Sequence, residues 1–362
     1  LTLKITRLGV RDFRCYQEYE TELSPGLTVL VGPNATGKTN LLEAVQLLTS
    51  CESFRRPPWQ DLVRWGADKC AASAEAAGEG REVRLEMQVE GGRRTYRVNG
   101  KAKRRLAEVV GILPGVVFVP DDLRMTKESG ERRRAELDSL GSQISPSYLE
   151  LKNEYDRVLR QRNRLLKEDV VSETELSAWT ESLVHTGSRF QEARERLFAR
   201  AWPHMQAAHS EIAGSSPGLS ARYVRASERD GIDGPQDSEG SIRAHLKEKA
   251  FEERARGTTV AGPHRDDIVF ALDGREVRAF ASQGQHRSIA LSWKLAEVAT
   301  IEEVSGQTPV LLLDDVMSEL DEPRRNALAV RAGTAAQTIM TTTNTGYFGD
   351  ELMSRAMVVR LG

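Results

Sequence analysis

Apolar and polar residues alternate over residues 3–10 and 16–23, the period-two pattern of half-buried strands. Ser24-Pro25-Gly26 reads as a turn, and the short apolar run 27–31 as a strand covered on both faces. A glycine-rich loop follows, and residues 39–49 carry the apolar spacing of a helix. Two further alternating runs, 81–89 and 94–98, flank Glu90-Gly91-Gly92 and predict a hairpin, with Asn99-Gly100 as another turn. Residues 116–119 make one more buried strand, closed by Pro120.

From about residue 130 to 211 the strand pattern fades and helical spacing takes over. Tyr148, Leu151, Tyr155, Val158 and Leu165 form one apolar stripe, while Arg157, Arg160, Arg164 and Lys167 share a different face. Residues 214–240 are rich in Gly, Ser, Pro and Asp and predict a long loop; 241–256 predict a helix. Strands return at 267–272 and, past the turn Asp273-Gly274, at 276–280. A helix over 284–303, a buried strand over 309–313, a helix over 324–332 and a last inner strand over 337–342 complete the chain. This order predicts an α/β lobe made of residues 1–125 and 257–362, interrupted by a mainly helical lobe, 126–256.

Composition adds exclusions. A length of 362 residues suits two lobes, and 39% apolar with 29% charged residues suits a globular protein. No run of about 18 apolar residues is present, so no membrane partner is expected. The first ten residues lack the charged start and apolar core of a secretory signal. Cys15, Cys51 and Cys70 form no close pair, which points to a reducing cytoplasm rather than to disulfides or zinc. A net charge of −2 is unlike a dedicated nucleic-acid binder. The cations are clustered, however, in Arg93, Arg94, Arg97, Lys101, Lys103, Arg104 and Arg105 and again in Arg132 to Arg134. Such runs are more often solvated surface than binding sites.

The chemistry starts at Gly32-Pro33-Asn34-Ala35-Thr36-Gly37-Lys38-Thr39, which has the Walker A spacing between an apolar strand and a helix. Glycines let backbone N–H groups curl around phosphate, and the helix N-terminus adds positive potential. Lys38 supplies a cation for the β- and γ-phosphates, and Thr39 a hydroxyl for Mg²⁺. Four restricted positions match by chance in only about one per cent of chains this long. Pro309-Val310-Leu311-Leu312-Leu313-Asp314-Asp315 follows the Walker B pattern, an apolar strand ending in acids. Asp314 is placed to hold Mg²⁺ and Asp315 to orient the attacking water. Ser282-Gln283-Gly284-Gln285 and Ser318-Glu319-Leu320-Asp321 are, taken singly, ordinary helix caps.

Taken together, the four elements stand in the order of the ATP-binding-cassette superfamily, which this chain resembles. The resemblance implies an ABC-type P-loop ATPase using ATP and Mg²⁺, with Ser282 to Gln285 as signature and Ser318 to Asp321 as D-loop. Two protomers would sandwich two ATPs, with Ser282 and Gly284 of one meeting the γ-phosphate held by Lys38 of the other; Gln285 and Asp321 join Lys38 and Asp315 in the catalytic set, and Gly32 to Asn40 cradle the nucleotide. Phe13-Arg14 and Gly37-Lys38-Thr39-Asn40 look like the structural-maintenance-of-chromosomes (SMC) branch. Residues 61–66, 119–123, 132–138, 161–167 and 261–267 are similar to the RecF family, a member without a long coiled coil. That resemblance implies a weak DNA-dependent ATPase, dimerising with ATP on single-stranded, double-stranded or gapped DNA. Its partners would be RecO and RecR, and RecA indirectly.

Two departures stand out. Asp315 replaces the usual glutamate, and Thr341-Thr342-Thr343-Asn344 stands where a switch histidine is usual. Slow, timer-like hydrolysis is the expectation. The glutamine loop is placed at Pro120-Asp121-Asp122, Arg11, Phe13 and Arg14 near the nucleotide, and Arg265, Asp266 and Asp267 in a relay; His264 reads as packing. DNA contact is assigned first to Arg93, Arg94, Arg97, Lys101, Arg104 and Arg105, and second to the Arg157, Arg160 and Arg164 face, through phosphate rather than base readout. The rival readings are a nuclease-linked ATPase, a transporter ATPase and a small-molecule kinase. The first lacks room for a nuclease domain, the second its Leu-Ser-Gly-Gly signature, and the third would not carry a D-loop.

Overall fold

The computed structural model describes residues 2–168, 170, 172–213, 218–232, 237–334, 337–347 and 353–362. It divides into two compact units. The first comprises residues 1–124, 207–214 and 287–362, and the second 125–206 and 215–286. Residues 257–286 thus fold with the second unit, although their strand pattern suggested a return to the first.

In the first unit, strands β1 (Lys4–Phe13), β2 (Tyr16–Glu22) and β3 (Leu27–Val31) lead into helix α1 (Lys38–Thr49). Then come β4 (Lys69–Gly78), β5 (Arg81–Glu90), β6 (Arg93–Val98), β7 (Lys101–Lys103) and β8 (Gly115–Phe118). An antiparallel sheet has the order β2-β1-β4-β5-β6-β7. The alternation expected of β1 and β5 is realised: Ile5, Leu8, Val10, Val83, Leu85, Met87 and Val89 are buried while their neighbours face solvent. Strand β4 was not expected, because Lys69–Gly78 is alanine-rich and alanine has low strand propensity. Its place between β1 and β5 overrides that preference, and Cys70, Ala72, Ala74 and Ala76 are buried where α1 packs.

The second unit contains helices α2 (Gly130–Ile144), α3 (Pro146–Leu165) and α4 (Glu173–Ala213), the last ending within the first unit. Strand β9 (Leu219–Val224) and helices α5 (Ala226–Arg229), α6 (Ser238–Glu248) and α7 (Ala250–Arg256) follow. The stretch expected to be loop therefore holds a strand and a short helix; its residues 214–217 and 233–236 lie outside the described residues. Strand β10 (Asp267–Leu272) pairs with β9 and with β11 (Arg275–Glu276), so this mainly helical unit has a three-stranded sheet of its own. The strand expected over 276–280 is instead two residues of β11 and the turn of helix α8 (Val277–Phe280). Val277 is buried but Phe280 faces solvent, so the alternation there never had a core to serve.

Helix α9 (Gln283–Ser305) leads to β12 (Val310–Asp314), α10 (Glu322–Thr334), β13 (Gln337–Thr342) and β14 (Ala356–Arg360). These strands and two earlier ones form a parallel sheet of order β14-β3-β13-β12-β8 in the first unit. Leu311, Leu312 and Leu313 are buried, as a strand covered on both faces requires. Helix α1 packs on both sheets. Gln337, wholly buried, ties them together: its Oε1 accepts from Ile5 N at 2.7 Å and its Nε2 donates to Ile5 O and Ser24 O. The architecture is α/β, and the described residues include no long coiled coil. Among the described residues no helix is long and apolar enough to cross a membrane.

Candidate nucleotide-binding site

Strands β3, β13 and β12 are adjacent and parallel, so their C-terminal ends bring distant segments together. Crevices at such ends are where open α/β sheets hold ligands. The loop from Gly32 to Gly37 leaves β3 and turns into α1. Gly37 has φ +95°, and Ala35 also adopts a left-handed conformation at +67°. A Cβ on Gly32 would lie 2.1 Å from Leu361 O, and one on Gly37 2.5 Å from the Tyr16 hydroxyl. Both glycines are therefore required by close approach, and Tyr16, donating to Thr36 O at 3.1 Å, braces the loop from beneath. Thr36 Oγ1 donates back to Pro33 O at 3.0 Å; Pro33, Asn34 and Ala35 form the exposed rim. Lys38 Nζ donates to Gly32 O at 2.7 Å and to Pro33 O at 2.6 Å. Its charge is held by loop carbonyls, so an anionic ligand would not have to displace a carboxylate. Asn40, one residue past Thr39, donates to Cys15 Sγ and accepts from Arg55.

Asp314 ends β12 beside this loop. Its Oδ1 accepts from Thr39 Oγ1 at 2.8 Å and from Thr341 Oγ1 at 2.8 Å. The two Walker motifs, 275 residues apart, are thereby in direct contact. Thr341 also accepts from Asp315 N at 3.0 Å, a role fixed by its register opposite Asp314 on β13. Asp315 adopts a left-handed conformation, φ +50°. Its Oδ1 is buried without a hydrogen-bond partner. Burial pushes its carboxyl above the usual aspartate range, and the neighbouring Asp314 adds to this, against Lys38, which lowers it. A free, basic carboxylate oxygen beside a hydroxyl–carboxylate pair can accept a proton or orient a water.

The remaining motifs are helix caps with exposed heads. Ser318 Oγ donates to Asp315 O at 2.7 Å, and Asp321 caps α10, accepting from Arg324 N at 3.3 Å. Ser282 precedes α9 in a reciprocal capping box. Its N donates to Gln285 Oε1 at 2.8 Å, and its Oγ accepts from Gln285 N at 3.3 Å. Ser282 is exposed and Gly284 lies in the first helical turn. Ser282 to Gln285 belong to the second unit, whereas the Walker motifs belong to the first.

Other candidates are resolved by their surroundings. Phe13 is core. Arg11 pairs with Glu18 on the surface. Arg14 grips Glu43 of α1 with two hydrogen bonds, 2.9 and 2.8 Å, and donates to Asp61 O. Asp122 is buried, accepting from Val119 N in the turn Pro120–Arg124. His264 is held by Tyr155 Oη at 2.7 Å and donates to Thr259 O at 3.0 Å; burial pushes it down to about 3. Asp266 is buried and accepts from Gln191, Tyr223 and Ala226 N, while Asp267 accepts a bidentate Arg133. Only Arg265 of that motif faces solvent. Arg93, Arg97, Lys101, Arg104 and Arg105 are exposed, but Arg94 lies over Trp59 at 4.0 Å and donates to Cys51 O. Sequence reasoning missed Tyr16 and Glu43, and it took Thr341 only as a departure at the switch position, not as a partner of Asp314. Only the spacing of Tyr16 ahead of the loop was there to be noticed.

Comparison with known proteins agrees with this architecture. The family described as "RecF/RecN/SMC N terminal domain" matches residues 4–359. A DNA replication and repair protein RecF from Synechococcus sp. (strain JA-3-3Ab) is 38% identical over 98% of this chain and 95% of its own. RecF from Symbiobacterium thermophilum is 40% identical over 91% of this chain and 89% of its own. The solved structure of a RecF with ATP, described as a recombination mediator protein in the RecFOR pathway, superposes with TM-score 0.87 at 29% identity. That superposition covers 96% of this chain and 94% of the other. With a match over nearly its whole length and relatives at this identity, the chain belongs to the RecF family of SMC-type ATPases.

Proposed function

We propose that this protein binds ATP with Mg²⁺ between two copies of itself, and that the closed dimer holds DNA at gaps or single-strand/double-strand junctions. In this reading it works with RecO and RecR to promote RecA loading in recombinational repair, and slow hydrolysis releases it. The observation that carries the nucleotide reading is the Thr39–Asp314–Thr341 cluster beside the partnerless Asp315 Oδ1. The residues fit the implied ligands. Gly32 and Gly37 let the loop curl tightly against Leu361 and Tyr16, as a phosphate-wrapping backbone needs, and an orphaned buried oxygen stands next to a hydroxyl and a carboxylate.

Backbone N–H groups of the loop and α1 would bind phosphate oxygens, with Lys38 adding a cation. Thr39 and Asp314 would hold Mg²⁺, which draws off charge from the phosphate oxygens when bound. Asp315 would accept a hydrogen bond from the attacking water and so orient it. Ser282 and Gly284 of the partner would close over the same phosphate, which makes ATP the link between protomers. Relatives named for DNA replication and repair, and one described as a recombination mediator, support the DNA setting.

Sedimentation velocity tests the core of this reading, with protein alone, with ATP, and with ATP plus a gapped duplex. Mass should double with ATP, and DNA should co-sediment with the doubled species. Unchanged mass with ATP would remove the sandwich and leave a monomeric ATPase.

A further inference from the structure

We infer that DNA is held along one face of α3, its phosphodiester backbone gripped by Arg157, Arg160, Arg164 and Lys167. This rests on the DNA-binding reading above and locates the surface that performs it. All four side chains are exposed. Their spacing puts them on one side of α3 and the turn after it, while Tyr155, Val158, Arg162 and Leu165 are buried on the other. No Asp or Glu occurs between Arg157 and Lys167, and Asp156 just before them is tied to Lys152 at 2.9 Å.

The other cationic candidate differs in kind. In the β5–β6 hairpin Arg93 stands opposite Glu90, and Arg97 opposite Glu86. Arg94 is taken up by Trp59 and Cys51 O, and Lys103 lies 3.7 Å from Glu108. Cations interleaved with acids give little net field for a polyanion. The α3 stripe has no such compensation between its members.

The dimensions suit a polyanion. Ten residues of helix rise about 15 Å, the axial length of roughly four phosphates on one strand at about 3.4 Å each. Attraction to the negative helix C-terminus accounts for cations in the last turn only. Arg157 and Arg160 lie further in, where that field has faded.

The platform under the stripe is rigid. Arg162 donates to Glu253 at 2.6 Å, Thr259 at 2.7 Å and Thr180 at 3.0 Å; Asn163 Oδ1 accepts from Thr259 N. Tyr155 is fixed by His264. The segment 161–167 is thereby divided in two. Arg162, Asn163, Leu165 and Leu166 build the unit, and Arg164 and Lys167, with Arg160 before them, are left for a ligand. Long flexible cations favour phosphate over base edges, so binding here is independent of sequence.

The test is fluorescence anisotropy of the full chain with ATP on a gapped duplex over a salt series, using two unrelated DNA sequences. The probe variant is Arg157→Gln/Arg160→Gln/Arg164→Gln, and the comparison variant is Arg93→Gln/Arg97→Gln. All are surface changes, and ATP-driven dimerisation of each variant is the folding control. The triple variant should weaken binding at least about tenfold for both sequences and lower the salt slope by about 0.9 for each phosphate it no longer neutralises. The double variant should stay within about twofold of wild type. Wild-type binding with an unaffected triple variant, or an equal weakening in the double variant, overturns the α3 surface alone. Wild-type protein that ignores DNA overturns the DNA reading itself and this surface with it.

Discussion

Asp315 occupies a left-handed conformation that costs a residue with a Cβ on the order of 1 kcal/mol. The strain is maintained because Thr341 takes the Asp315 N–H and Ser318 donates to its carbonyl. One carboxylate oxygen is left buried and unpartnered. Replacing it with asparagine keeps the shape and removes the negative oxygen. Asp315→Asn should retain ATP while hydrolysis falls by about 10²–10⁴-fold, the span of a lost general base. Nucleotide retention and phosphate release, measured together, check this, and release near the wild-type rate would exclude Asp315 from the reaction. The Walker residues were legible because their spacing is strict and their strand–loop–helix setting is plain. Thr341 was not, because it faces Asp314 only through the register of β12 on β13, which no local pattern encodes.

At the scale of elements, the second unit is organised around buried charge. Arg194 donates twice to Asp138, at 2.8 and 2.7 Å, and once to Pro263 O, while Tyr148 donates to the same carboxylate. Arg133 bridges α2 to Asp267 of β10. The segments 132–138 and 261–267 were legible as family-like, but their use was not: they are partners of each other, a tertiary fact. Removing one member of such a pair leaves the other charged, buried and uncompensated. Asp138→Ala should cost about 3–5 kcal/mol in urea unfolding, far more than a surface change. A cost under about 1 kcal/mol would mean that the pair is solvated.

His264 gives this unit a pH dependence. Below about 6.5 the unfolded chain protonates this imidazole, whereas the folded chain refuses the proton until about 3. Stability therefore falls as pH drops through that window, by up to about 1.4 kcal/mol per pH unit from this residue. Burial lowers His209 and His286 as well, and they act in the same direction. His264→Gln should flatten the slope between pH 6.5 and 5, and an unchanged slope would assign it to other groups. Strand β4 shows the limit of sequence reading at this scale. Its alternation is carried by alanine and cysteine, too small to register as a hydrophobic stripe until β1, β5 and α1 surround it.

At the scale of the whole molecule, the Walker motifs and the signature sit in different compact units of one chain. The sandwich requires that each complete site take its Walker half from one protomer and its signature half from the other. Mixing two defective chains decides this. Lys38→Met destroys the Walker half and leaves Ser282 intact; Ser282→Arg does the reverse. Each variant alone has no complete site in either a sandwich or a self-contained arrangement. In a mixed dimer, one site joins the intact Lys38 of one chain to the intact Ser282 of the other, and the second site is doubly defective. Equimolar mixing should therefore restore ATP-dependent association and hydrolysis. Only mixed dimers carry a complete site, so ATP-driven pairing draws the protein into them, each with one site of two, and about half of wild-type hydrolysis is the ceiling if the sites act independently. Recovery near that level establishes a site built in trans. A mixture as inactive as its components would mean that the site closes within one chain, and ATP could not then be the link that holds two protomers around DNA.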